Sequence, residues 1–212
     1  EGVTLTEGSA LAYDALKVLK LPTGYLLYDG GANEQLAKSN RLARTLLGLA
    51  LFLVFVVMAV QYESIRNPLV IMTSVPFCTI GVALGLEAYT MPISMPVWLG
   101  LILLAGIVVN NAIVLVDYAR QLQLRGHPVD EALVIAGQTR LRPILMTTLT
   151  TVLGLLPMAF GGGDGAELRR PIALTLIAGL VFSTGLTLVV IPVLYRWLVG
   201  EPKQKGRLAE EG

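Results

Sequence analysis

Charge is scarce in this sequence. Only 15% of the 212 residues are Asp, Glu, Lys or Arg, against about 25% in a soluble domain. The shortage is concentrated in long charge-free runs, which places the chain among integral membrane proteins. Cysteine is nearly absent. The one residue, Cys78, sits inside an apolar run, so an internal disulfide is excluded and the thiol says nothing about redox compartment. Histidine is equally rare. His127 has no second histidine or cysteine to complete a ligand set and reads as a solvated loop residue, not a metal site. Net charge is +1 and the basic residues do not alternate with aromatics, so no nucleic-acid groove is expected. Paired acids, a Ser–His arrangement and a metal motif are all missing at membrane depth, where the only acid near a span is Asp117. An intramembrane enzyme is disfavoured on that ground, and no cofactor is expected.

What remains is apolar, 54% of the chain. Five runs are long enough to cross a hydrocarbon core, which takes about 20 helical residues. The expected helices cover about residues 45–62, 67–86, 96–118, 143–162 and 171–198, in a membrane domain of 45–199 followed by a tail of 200–212. The longest loop on one side, Tyr118 to Arg142, joins the third and fourth. Within it Pro128 is placed to open a short interfacial helix over Val129 to Thr139, with Leu133, Val134 and Ala136 toward lipid or the bundle. Basic residues orient the chain. With the amino terminus outside, inner loops hold Arg66, Arg120, Arg125, Arg140, Arg142, Arg196, Lys203, Lys205 and Arg207, and outer loops only Arg169 and Arg170. That asymmetry puts the carboxy-terminal tail in the cytoplasm.

Residues 1–44 read differently. Ser9 to Lys20 shows a one-sided helix pattern at Leu11, Ala15, Leu16 and Leu19, Tyr25 to Tyr28 is a strand candidate closed by Asp29-Gly30-Gly31, and Asn33 is placed to cap a helix starting at Glu34. Forty-four residues are too few to bury a core of their own. The expectation is a small α/β piece at the edge of a larger domain. The chain opens at Glu1 without a signal-peptide pattern, so a start within a longer polypeptide is expected.

Gly106 to Asp117 carries the one unusual polar pattern, two adjacent amides and a carboxylate within a membrane run. Gly106, Asn110 and Asp117 fall on nearly one helical stripe, whereas Asn111 points about 100° away. Two readings compete. Membrane helices use Asn and Gly for packing and interhelical bonds, and intramembrane polar residues also mark transport pathways. Similar duality applies to Thr147, Thr148, Thr150 and Thr151. Each can bond its own backbone, or Thr147, Thr151 and Gly154 can present a hydroxyl stripe toward Asn110. Gly81 with Gly85, and Thr175 with Gly179 and Ser183, are small-residue stripes that suit close packing. Pro76 and Pro157 are expected to kink their helices.

The string Gly-Ile-Val-Val-Asn-Asn-Ala-Ile-Val-Leu-Val-Asp-Tyr at 106–118, followed by Arg-Leu-Arg-Pro-Ile-Leu-Met-Thr-Thr at 140–148, closely resembles the resistance–nodulation–division (RND) transporters. Gln61-Tyr62-Glu63-Ser64 and Leu155-Leu156-Pro157 are also similar to that family. The resemblance implies the last five helices of a twelve-helix, proton-driven multidrug efflux permease of the bacterial inner membrane. Residues 1–44 would then be the end of a periplasmic porter subdomain. The implied partners are the rest of the same transporter, a homotrimer, a periplasmic adaptor, an outer-membrane channel and the lipid bilayer. In the family, paired aspartates on a first-half helix face a lysine, an arginine and a threonine. Motif by motif those positions are Asn110, Arg140 and Thr147, with Asn111 and Asp117 matching a family asparagine and carboxylate. Asn110 departs from the pattern, because an amide carries no positive charge. A cation lowers the pKa of neighbouring carboxyls, so an aspartate pair facing Asn110 is expected to hold its proton more tightly. Alternatives are a related lipid or sterol transporter, a protein-export subunit, or a non-catalytic structural membrane protein.

Overall fold

The computed structural model describes residues 32–199, together with Gly8, Leu11, Ala12, Ala15 and Leu16, which are helical. The strand candidate at 25–28 and the tail at 200–212 lie outside the described residues. All regular structure among the described residues is helix, so the expected α/β character of residues 1–44 has no strand to support it.

Six helices follow one another: α1 Ala32–Tyr62, α2 Arg66–Met72, α3 Ser74–Ala88, α4 Met95–Leu124, α5 Val129–Phe160 and α6 Ala166–Val199. Five segments are long and apolar enough to cross a membrane, with α2 and α3 together making the second. Helix α1 is already formed at Ala32, so Asn33 lies within its first turn and not ahead of it.

Proline explains the break in the second span. Pro76 has no N–H for the carbonyl of Met72, and its ring crowds that carbonyl, so the ladder parts at Thr73. The Thr73 and Ser74 hydroxyls donate to the carbonyls of Val70 and Ile71 three residues back, beside the break. Helix α4 starts behind an extended Ser94, with Pro96 at its second position. It ends at Gly126, whose φ of +97° admits the left-handed turn. There the His127 N–H bonds the carbonyl of Leu122 and the Gly126 N–H that of Gln123, a Schellman closure.

The turn to α5 is therefore four residues, 125–128, and the long loop expected over 118–142 is almost entirely helix. Nor is 129–139 a separate interfacial helix. Helix α5 runs unbroken from Val129 through Pro143. A proline removes one ladder bond, and here the helix continues past it with Pro143 on an exposed face. Asp130 and Glu131 in the first turn complement the helix dipole. Ala132 and Ala136 are fully buried, and Val134 is exposed.

Helix α6 is the hub. It packs against α2, α3, α4 and α5, whereas among the described helices α1 touches only α2 and α4. Half of the α6 apolar stretch is buried, against 11% for α1 and for α5, so those two form the edges of the bundle. The small-residue stripes create the tight centre. Gly81 faces Phe182 and Gly85 faces Ala178, while Gly179 faces Leu104 and Val82, and Gly100 faces Thr175. A side chain at any of these glycines would collide with its neighbour, which is how α3, α4 and α6 come so close.

Candidate functional site

Helix α4 carries the two amides, and its rotation decides their settings. The Asn110 side chain is exposed and lines a groove of about 210 Å³ between α1 and α4. Leu47, Leu51 and Val54 form the α1 wall, and Gly106 with Val109 and Ile113 flank the amide on α4. A Cβ at Gly106 would meet nothing within 4 Å, so the groove floor is open there. The surroundings are almost wholly apolar, and Asn110 makes no side-chain hydrogen bond among the described residues. No residue of α5 lines this groove, so the threonines of α5 do not face Asn110 in it.

Asn111, one residue on, faces a different neighbour. It lines a small void with Val108, Ile144, Ser183, Thr184 and Thr187, at the junction of α4, α5 and α6.

The other three residues singled out from the sequence are spread apart. Asp117 accepts a 2.7 Å hydrogen bond from the Gln121 amide one turn later on α4. The Arg140 guanidinium stacks on the Tyr118 ring at 4.7 Å, joining α5 to α4, and its Nε is buried without a partner. Guanidinium on an aromatic face is favourable by about 0.5–2 kcal/mol, more when water is excluded. Thr147 is exposed and donates to the carbonyl of Ile144 at 2.9 Å, and Thr150 and Thr151 likewise bond backbone carbonyls of their own helix. Thus three of the four threonines between 147 and 151 follow the backbone-bonding pattern.

The fourth is what the sequence reasoning missed. Thr148 is buried, and its hydroxyl lies 3.0 Å from that of Thr184 on α6. Ser183, Thr184 and Thr187 gather on α6 near it, and Thr175, also buried, faces Gly100 of α4 instead. The signal in the sequence is four hydroxyl residues recurring within one apolar run, of which only Thr175 and Ser183 fall on the small-residue stripe with Gly179.

A further set of contacts gathers where α1, α4 and α6 end and α5 begins. Arg120 lies 5.4 Å over the Tyr62 ring, Tyr195 donates to Gln123 at 3.2 Å, and Arg196 pairs with Asp130 at 3.0 Å. His127 lies 3.4 Å from Glu131, an exposed i,i+4 pair. Near the opposite end, Trp98 Nε1 donates to Asn40 Oδ1 at 2.9 Å and ties α1 to α4.

Residues 1–199 match the model of the AcrB/AcrD/AcrF family. The chain belongs to that family. It is 40% identical over 178 residues to the cobalt-zinc-cadmium resistance protein CzcA of Cupriavidus metallidurans, covering 84% of this chain and 17% of that protein. It is 38% identical over 214 residues to the multidrug resistance protein MdtC of Erwinia tasmaniensis, covering 96% of this chain and 21% of the relative. A crystal structure of a heavy metal efflux pump superposes with a TM-score of 0.80 at 29% identity, over 94% of this chain and 20% of the pump. The chain thus spans about a fifth of the length of the relatives it matches. Membership in the RND efflux permeases, recognised from the 106–118 and 140–148 strings, agrees with all three likenesses.

Proposed function

We propose that this chain forms the carboxy-terminal membrane part of a proton-driven RND efflux permease exporting drugs or other amphiphilic compounds. The observation that carries the reading is Asn110 beside Gly106, an unpartnered amide and a flat floor in an apolar groove. A polar group with nothing to bond at membrane depth is costly unless a neighbour engages it. The neighbour in this reading is a first-half helix bearing paired aspartates. Asn110 acts as an uncharged hydrogen-bond partner that senses their protonation. Arg140, Thr147 and Asp117 complete the relay's partner side, with Asn111 supporting it by holding α4 from its other face, and protonation moves one helix bundle against another. The working unit is a trimer in the bacterial inner membrane, with residues 1–44 periplasmic, the 200–212 tail cytoplasmic, and an adaptor and outer-membrane channel as partners.

The test uses the complete transporter in proton-loaded vesicles. A cation near carboxyls favours their ionised form, so Asn110→Lys is expected to shift the pH profile of efflux toward lower pH. Asn110→Leu is expected to abolish coupled efflux while leaving the protein folded. If both variants pump with the parental pH profile, Asn110 does not face the proton site.

A second reading concerns the exported species. The 40% identity to a cobalt-zinc-cadmium resistance protein and the TM-score of 0.80 to a heavy metal efflux pump support divalent cations as substrate. Efflux of Zn²⁺ and of an amphiphilic dye, measured in the same vesicles, separates the two.

A further inference from the structure

The void beside Asn111 is not part of the groove at Asn110, and its lining asks for a ligand of its own. Its volume is about 10 Å³, and a cavity of roughly 10–15 Å³ by this measure holds one water. Four residues that line it, Asn111, Ser183, Thr184 and Thr187, carry hydroxyl or amide groups. Thr187 is 3% exposed, and its Oγ1 has no hydrogen-bond partner. The Asn111 amide, half-buried, makes no side-chain hydrogen bond among the described residues. Thr184 shares a single bond with Thr148 at 3.0 Å, so its oxygen keeps accepting capacity. Ser183 donates to the carbonyl of Leu180 at 3.2 Å, which occupies its proton but not its lone pairs. Buried hydroxyls and amides are seldom left unbonded, and ordered water is their usual partner where side chains do not reach. No carboxylate lines the void, so a bare cation there would have no countercharge.

We propose that Asn111, Thr184 and Thr187 bind one ordered water at the junction of α4, α5 and α6. The water accepts from the Asn111 amide and donates to the Thr187 hydroxyl oxygen. The Thr184 oxygen is within the same lining as its third partner. Two to four polar partners are what a buried water ordinarily makes. The bound water joins α4 to α6 through side chains that do not bond one another directly. Asn111 is thereby a positioning residue for α4, while its neighbour Asn110 faces the groove toward α1. This inference is independent of the transport reading and survives its failure.

The experiment is an electron-density or cryo-microscopy map of the complete transporter at a resolution that shows ordered waters. A single peak at hydrogen-bonding distance from both Asn111 and Thr187 is the expected result. An empty void overturns the proposal. So does a peak at short ionic distances ringed by five or more oxygens, which would be a cation. Thr187→Val, nearly the same shape, supplies a second measurement. It should abolish the peak and lower the melting temperature by about 2 °C. Were Thr187 dry and unbonded, removing its hydroxyl would relieve a buried polar group and raise the melting temperature. A rise or no change therefore overturns the water site even if the variant cannot be imaged.

Discussion

Gly179 offers the sharpest test of how the bundle is held together. It lies where α6 passes both α3 and α4. A Cβ placed there would run into the Leu104 side chain, lie 2.8 Å from Val82 Cγ2 and sit 3.3 Å from the carbonyl of Cys78. Leu104 and Cys78 are 0% exposed and Val82 is 3% exposed, so none has space to withdraw into. Forcing one extra carbon into such a site costs about 1–3 kcal/mol. Alanine's advantage over glycine in a helix returns about 1 kcal/mol. Gly179→Ala should therefore destabilise by about 1 kcal/mol net, and Gly179→Val by more, since branching adds carbons at the same crowded point. Gly185, on the same helix, is the internal control, because a Cβ there meets nothing within 4 Å. Gly185→Ala should be neutral or stabilise by up to about 1 kcal/mol. Thermal unfolding of the purified protein in detergent reads the series, at roughly 2–4 °C per kcal/mol for a domain of this size. The expected order of melting temperature is Gly185→Ala, parent, Gly179→Ala, Gly179→Val. If Gly179→Ala melts with Gly185→Ala, α6 does not approach α3 and α4 this closely, and the packing argument is wrong.

The remaining expectations are smaller. A double-mutant cycle on Thr148→Val and Thr184→Val should give a coupling of about 0.6 kcal/mol, up to about 1.7, the range for hydroxyl bonds between membrane helices; zero coupling would deny the 3.0 Å contact. Arg196→Ala should change stability by less than about 0.5 kcal/mol, because the Arg196–Asp130 pair is 68% and 64% exposed and screened by solvent. Asn40→Ala removes the acceptor of the Trp98 indole and should speed hydrogen exchange in α1 without affecting α6, since α1 has no contact with α6. Uniform acceleration across all helices would show instead that α1 is integral to the core.

The membrane class and the number of spans were legible because a soluble helix needs charge on its solvent face, so a charge-free run of about 20 residues points to lipid. The glycine stripes were legible too: Gly81, Gly85 and Gly179 all lie at close helix contacts. Their partners were not, since a stripe states that something approaches closely but not what. The continuity of α5 was hidden by Arg140, Arg142 and Pro143, three residues that together read as a boundary. In the structure Arg140 lies over Tyr118 and Pro143 is simply carried within the helix. The inward threonine was hidden for a geometric reason. Thr147, Thr148, Thr150 and Thr151 span more than a full turn, so they point in most directions and periodicity cannot choose among them. Only the neighbouring Thr184 makes Thr148 the buried one. The strand candidate at 25–28 lies outside the described residues, and the candidate site residues rest on motif resemblance and placement together.

The two adjacent asparagines of α4 divide the helix into faces with different duties. On the Asn111 side, α4 meets α5 and α6 through hydroxyls, the Arg140–Tyr118 stack and the Gly100–Thr175 contact. On the Asn110 side it presents an open apolar groove bounded only by α1, itself a peripheral helix. Close glycine contacts tolerate little sliding, because each approach is matched to one register of side chains. Under the proposed transport reading, movement driven at Asn110 therefore cannot be absorbed between α3, α4 and α6. It must appear as displacement of this bundle, as one body, against whatever occupies the groove, with α1 as the helix freest to follow.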